Sequence, residues 1–136
     1  MIVVDSGVLI AAADVDDDHY ESCARLIAER GSEFLVPSTV VVEVCWMLSR
    51  HVSVPLEADF LDAIAEGELQ LEVLEQIDYA RMSELVTTYA DLPLGMVDAS
   101  VVAIAERLDV REIATIDRRH FSVVRPRHVD AFTLLP

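Results

Sequence analysis

Met1-Ile-Val-Val-Asp-Ser-Gly-Val-Leu-Ile10 decides the fold. Ile2, Val3 and Val4 are a short, uninterrupted apolar run, the pattern of one strand buried on both faces. Asp5-Ser6-Gly7 breaks the run, and Val8 to Ala13 resumes with helix-compatible residues. This reads as strand, turn, helix. In open parallel sheets, ligands bind outside the carboxyl ends of the strands. Asp5 stands at such an end, where a carboxylate is either a helix cap or a ligand-binding group.

Downstream, the same alternation repeats. Asp18 is placed to cap a helix from His19 to Arg30, with Gly31 as its stop. Glu33 to Val36 is a strand closed by Pro37. Ser38 is placed to cap a helix from Thr39 to about Arg50, whose apolar residues run nearly all round and so predict burial. Pro55 opens a helix at its first position, which Gly67 ends. Leu69 to Leu74 alternates as an edge strand does. Helices follow at Ile77–Tyr89 and Met96–Leu108, separated by a loop at Asp91-Leu-Pro-Leu-Gly95. Glu112 to Ile116 is a strand ending at Asp117, and Phe132 to Leu135 adds a short last one. Strands alternating with helices predict an α/β fold, a central mostly parallel sheet of four to five strands with helices on both faces. At 136 residues, with no repeat and no low-complexity stretch, the expectation is a single domain, 1–136.

Composition narrows the function. The chain is 53% hydrophobic yet carries a net charge of −15, so it is foldable but a poor non-specific partner for nucleic acid. Residues 1–106 hold four Arg and 21 acids, residues 107–136 hold six Arg and four acids, and Lys is absent. An acidic body suits a basic protein partner or a divalent-cation site. No apolar stretch is long enough to span a membrane. The amino terminus runs straight into a strand, so a cytoplasmic protein is expected. Cys23 and Cys45 fall in apolar helical patterns and are read as free thiols. The four histidines show no metal-ligand spacing, with His19 and His51 at helix ends or on the surface.

Four acids sit in apolar settings. Asp5 ends the first strand, and a cap or turn would explain it alone. Glu43 lies within Val40-Val-Val-Glu-Val-Cys-Trp-Met-Leu48, where an ionised side chain must be paired, hydrogen-bonded or metal-bound; a salt bridge to Arg50 is the plain alternative. Asp98 shares a helix face with Val101, Val102 and Ala105; the helix dipole favours its first-turn position but not its inward face. Asp117 ends a strand, as a turn residue also would. If the strands are neighbours, Asp5 and Asp117 meet at one edge while Glu43 and Asp98 point there from helices that begin nearby. Four clustered carboxylates need a counter-charge, and oxygen-only ligands suit Mg²⁺ or Mn²⁺.

At these residues the sequence resembles the PIN-domain ribonucleases, and more narrowly the VapC-type toxins of toxin–antitoxin pairs. The stretches that carry the resemblance are Ile2-Val-Val-Asp-Ser-Gly-Val-Leu-Ile10, Pro37-Ser-Thr-Val-Val-Val-Glu-Val44, Leu94-Gly-Met-Val-Asp-Ala-Ser100 and Ala114-Thr-Ile-Asp-Arg-Arg-His-Phe121. Each motif is weak alone; all four in order, over essentially the whole chain, are a strong signal. The resemblance implies a PIN-like α/β/α sandwich and an acidic metal site of Asp5, Glu43, Asp98 and Asp117. It implies a Mg²⁺-dependent endoribonuclease, with Mn²⁺ a substitute, that leaves 5′-phosphate and 3′-hydroxyl ends. A homodimer and a cognate antitoxin that blocks the site are implied as well. Ser6 and Thr115 fall where the family often has hydroxyls beside the acids. Many members carry a further Asp two residues after the last one; here that position is Arg119, and Arg118 or Arg119 could instead grip an RNA phosphate.

Rival folds with acids at strand ends fail on the sequence. A receiver domain or a P-loop needs a Lys, and there is none. A haloacid-dehalogenase-type phosphatase wants an Asp where Gly7 stands. A catalytically silent PIN fold acting as a binding or scaffold module is the alternative, and the four intact acids speak against it.

Overall fold

A computed structural model describes residues 1–136. Five strands form one parallel sheet in the order β3-β2-β1-β4-β5: β1 Ile2–Val4, β2 Phe34–Pro37, β3 Gln70–Glu72, β4 Glu112–Ala114 and β5 Thr133–Leu135. Around them run α1 Ser6–Ala13, α2 Tyr20–Arg30, α3 Ser38–His51, α4 Val54–Ala65, α5 Gln76–Thr88, α6 Met96–Arg107 and α7 Arg118–Val123. The chain steps one way from β1 through β2 to β3, then crosses back to β4 and β5 on the other side of β1. Right-handed crossovers therefore place α1 to α4 on one face and α5 to α7 on the other. Packing agrees, with α1 against α2 and α3, α3 against α4, and α5 against α6. The layers form an α/β/α sandwich, as the sequence predicts.

The core follows from β1. Ile2, Val3 and Val4 are fully buried, as are Ile113 and Ala114 beside them on β4. Helix α6 is the most deeply seated, with every residue from Ala99 to Ala105 buried. Strand order reverses between β1 and β4, and a crevice outside the carboxyl ends forms at such a switch point. Asp5 follows β1 there, and its backbone N–H still bonds the Ala114 carbonyl at 2.9 Å.

The structure corrects several local expectations. Helix α3 is not buried all round: only Val40, Val44 and Leu48 are enclosed, while Val42 and Trp46 are 69% and 51% exposed. Asp18 does not cap α2; Asp17 instead accepts from the His19 N–H with its carboxylate and from the Tyr20 N–H with its carbonyl. Ser38 is the first residue of α3, not its cap, because Pro37 already supplies the extended backbone before the helix. Gly31 keeps right-handed backbone and continues into a single tight 3₁₀ turn. Pro55 takes the second position of α4, and Ser53 caps it through the Leu56 N–H. Strand β4 stops at Ala114, and helix α7 was not foreseen.

The Arg-rich carboxy-terminal segment is also not one basic surface. Arg107 is held by Glu72, Glu75 and Asp78, and Arg127 by Glu84. Arg118 bonds the Pro136 backbone oxygen. Arg111, Arg119 and Arg125 stay exposed without a carboxylate partner.

Candidate functional site

Asp5, Glu43, Asp98 and Asp117 line one cleft of about 540 Å³ at the switch point, together with Ser6, Gly7 and His120. Each acid arrives from a different element. Asp5 caps α1, accepting from the Ser6 N–H at 2.8 Å. Its other oxygen accepts from the Thr115 hydroxyl at 2.9 Å. Thr115 is fully buried just past β4, and its oxygen accepts in turn from the Asp117 N–H at 3.0 Å. One hydroxyl thus ties the ends of β1 and β4 together. Glu43 is held by the Ser6 hydroxyl and makes no ion pair with Arg50, which lies over Trp46 instead.

The cleft's opposite wall is pinned through α6. Ser100 donates to the Val97 carbonyl at 2.6 Å, so Thr39 must donate to Ser100, also at 2.6 Å. This hydroxyl pair locks α3 to α6. Glu43 stands one turn beyond Thr39 and Asp98 two residues before Ser100, so both are fixed across the cleft. Gly7 is needed for the approach of α1: a side chain there would come within 2.8 Å of Ile116 Cγ1, next to Asp117.

His120 was not singled out by the sequence. Asp117 caps α7 by accepting from the His120 N–H at 3.1 Å, and this folds the imidazole back over the cleft. Nδ1 then lies 2.7 Å from Asp98 and 3.1 Å from Asp117. Asp98, Asp117 and His120 can each offer one ligand atom, all within 4.8 Å of one another. The Asp-x-x-His spacing at a helix start was the signal, legible only once α7 is known to be a helix. Arg118 and Arg119 open α7 but do not line the cleft.

The electrostatics are unfavourable to ionised Asp5 and Asp98. Burial raises the Asp5 carboxyl from an ordinary 3.8 to about 6; the Asp98 charge adds to this and Glu43 contributes less, while the Thr115 and Ser6 hydrogen bonds oppose them. Burial also raises Asp98, with His120 opposing and Asp117 and Glu43 reinforcing. A buried Asp5 and a half-buried Asp98 that repel each other, with Glu43 and Asp117 beside them and one imidazole nearby, fit a hard divalent cation that would replace the missing counter-charge.

Comparison with known proteins agrees with this geometry. Residues 2–125 match the PIN domain family. The chain is 30% identical over 135 residues to ribonuclease VapC26 of Mycobacterium tuberculosis, covering 99% of this chain and 100% of that protein. Its fold is similar to that of Mycobacterium tuberculosis VapC20, a sarcin–ricin-loop-cleaving toxin, with a TM-score of 0.77 at 15% identity over 83% of this chain and 87% of that one. It is also similar to VapBC2 from Rickettsia felis, solved bound to a promoter DNA fragment, with a TM-score of 0.70 at 16% identity over 100% of both chains. At those identities the structures speak for the fold, and the sequence matches carry the kinship: the chain belongs to the PIN-domain family and, within it, to the VapC ribonucleases.

Proposed function

We propose that this protein is a divalent-cation-dependent endoribonuclease, the toxin of a toxin–antitoxin pair. The observation that carries the reading is the convergence of Asp5, Glu43, Asp98 and Asp117 on one cleft. Kinship with a VapC ribonuclease along nearly the whole chain supports it. The four acids would hold Mg²⁺, with Mn²⁺ a substitute, and His120 stands close enough to share in the site. When bound, such a cation lowers the pKa of a coordinated water and stabilises charge growing on a phosphodiester.

The protein's own groups do the positioning. Thr115 fixes the Asp5 carboxylate, Ser6 fixes Glu43, and His120 holds Asp98 against Asp117. The hydroxyls give Asp5 and Glu43 a defined orientation and leave them free oxygen lone pairs. One ionised carboxylate orients the attacking water or takes its proton. Arg119, exposed at the start of α7, would be free to meet an RNA phosphate outside the cleft, whereas Arg118 would first have to release Pro136.

A basic antitoxin suits a body of net charge −15. The Rickettsia felis assembly pairs a VapC with its VapB, which supports the same arrangement here. We place the toxin in the cytoplasm, where its RNA is, and as a homodimer by kinship; no helix is long and apolar enough to cross a membrane. The test is cleavage of total cellular RNA with Mg²⁺, with EDTA and with Asp98→Ala. Cutting that needs the ion and Asp98 is the expected result. Cutting that survives both sinks the four-carboxylate site. No cutting by folded, antitoxin-free protein moves the reading to a silent PIN fold.

A further inference from the structure

One set of three metal-binding groups stands ready-made in the cleft, and one of its members is not an acid. Carboxylate oxygens of Asp98 and Asp117 and a ring nitrogen of His120 lie within 4.8 Å of one another, and no set as tight includes Asp5 or Glu43. Asp5 and Glu43 are held by donors of their own, the Ser6 N–H and Thr115 hydroxyl on Asp5 and the Ser6 hydroxyl on Glu43. Nδ1 of His120 is 2.7 Å from Oδ2 of Asp98 and 3.1 Å from Oδ2 of Asp117. Adjacent ligands of an octahedral dication with bonds of about 2.05 Å stand about 2.9 Å apart, so these spacings fit one ion.

The imidazole is built into its place. Oδ1 of Asp117 accepts from the His120 backbone N–H at 3.1 Å, while Oδ2 of the same carboxylate faces the ring. Phe121, the next residue, is buried and anchors α7 in the core. Nε2 makes no protein hydrogen bond and is not enclosed, since the one buried side-chain polar atom without a partner is Nδ1 of His128. Nε2 is therefore free to carry the ring proton while Nδ1 presents its lone pair. Charge favours a neutral ligand at this position. Two carboxylates already balance a dication, and a third in place of the ring would add a further anion beside Asp5 and Glu43.

A nitrogen also changes which ion is taken. Mg²⁺ takes oxygen ligands and sheds its water reluctantly. First-row transition dications accept imidazole, with affinity rising along the series from Mn²⁺. We infer that Nδ1 of His120 is a direct metal ligand beside Asp98 and Asp117, and that it makes this cleft bind Mn²⁺ more tightly than Mg²⁺. This rests on the divalent-cation reading above and assigns the ion preference to one residue.

The test uses the full chain stripped of metal. Mn²⁺ is titrated in and followed by electron paramagnetic resonance, which separates free from bound ion. Pulsed measurement reads the hyperfine coupling of a nitrogen bonded directly to the ion; an imidazole held off by a water gives a far weaker one. The wild type should bind Mn²⁺ with that coupling and release it only to an excess of Mg²⁺. His120→Ala should lose the coupling and bind Mn²⁺ about 10- to 100-fold more weakly, with a much smaller change for Mg²⁺. His120→Asp should hold Mn²⁺ through oxygen, without the coupling, and Mg²⁺ should compete with it more evenly. Thermal unfolding is run beside each titration: all three chains should melt cooperatively in EDTA, and Mn²⁺ should raise the Tm of His120→Ala least.

Bound Mn²⁺ without nitrogen coupling overturns the assignment, and so does coupling that persists in His120→Ala. Displacement by equimolar Mg²⁺ in the wild type, or an unchanged preference in His120→Ala, overturns the ion selectivity. A chain that binds neither ion loses the divalent-cation reading as well. RNA cleavage by the same samples is scored in parallel. A chain that cuts in Mg²⁺ but shows no coupling loses only the role of His120, whereas one that shows the coupling and never cuts keeps the ligand and loses the ribonuclease reading.

Discussion

Replacing Asp5 by Asn should make the metal-free protein more stable while removing its activity. The Asp5 carboxyl stands at about 6 in the fold against an ordinary 3.8, chiefly because it is buried. Between those values the folded chain holds a proton that the unfolded chain has lost. Stability is therefore highest below about pH 4 and falls as the pH rises through 6. The gap of about two pH units, at 1.36 kcal/mol each, amounts to about 3 kcal/mol. That penalty is present in full above pH 7, where Asp5 is ionised. Asn keeps the shape, accepts from the Ser6 N–H through Oδ1, carries no charge, and turns its NH₂ toward the Thr115 oxygen, which then accepts where it had donated. For a chain of this length the gain corresponds to about 10 °C in Tm. The assay is thermal unfolding of both proteins in EDTA from pH 4 to 8, read as the difference between them so that other titrating groups cancel. The difference should be small at pH 4 and full by pH 7. Added Mg²⁺ should then stabilise the wild type and narrow the gap, because it replaces the missing counter-charge. If Asp5→Asn is no more stable than wild type at pH 8 in EDTA, the account of Asp5 as a carboxylate raised chiefly by burial is refuted.

Thr115→Val keeps the side-chain shape but strips Asp5 of a donor and the Asp117 N–H of an acceptor; we expect a loss of about 1–3 kcal/mol and a sharp fall in cleavage, with near-neutral stability as the disproof. Gly7→Ala should push on Ile116 and displace Asp117, so cleavage should drop far more than Tm; the reverse ranking would mean that Ile116 simply rotates away. Arg107→Ala leaves Asp78, only 2% exposed, without its cation, and should cost about 3 kcal/mol in urea unfolding. Arg127→Ala breaks an exposed pair with Glu84 and should fall within about 0.5 kcal/mol of wild type in the same assay.

The parts of the fold legible in the sequence are those with strong local contrast. Ile2-Val-Val-Asp-Ser-Gly changes from apolar strand to polar turn within one residue, and both β1 and the position of Asp5 follow from it. Asp98 could be set on an inward face because Val101, Val102 and Ala105 mark that face by helical spacing. Helix α7 has only six residues, with Phe121 alone buried, so no period could announce it. His120 was lost with α7, since its approach to Asp98 depends on the turn that Asp117 caps. The exposure of Val42 and Trp46 was hidden for another reason: an apolar residue is buried only if something packs on it, and α3 meets α1, α4 and α6 without covering that face. The ends of α2 and α3 slipped because Asp17 and Pro37 could serve as well as Asp18 and Ser38.

The hydrogen bond from Thr115 to Asp5 spans 110 positions of the chain. During synthesis, β1 leaves the ribosome first and has β2 for a neighbour early, but β4 arrives only near the end. The Thr115 N–H is then taken up by the Leu135 carbonyl on β5, at 2.7 Å. A nascent chain stalled short of β4 has Asp5 and Glu43 but no Thr115 to hold Asp5 and no Asp117 to complete the cleft. The cleft is therefore assembled only once β4 has been made, and a fragment ending before β4 should show no cleavage.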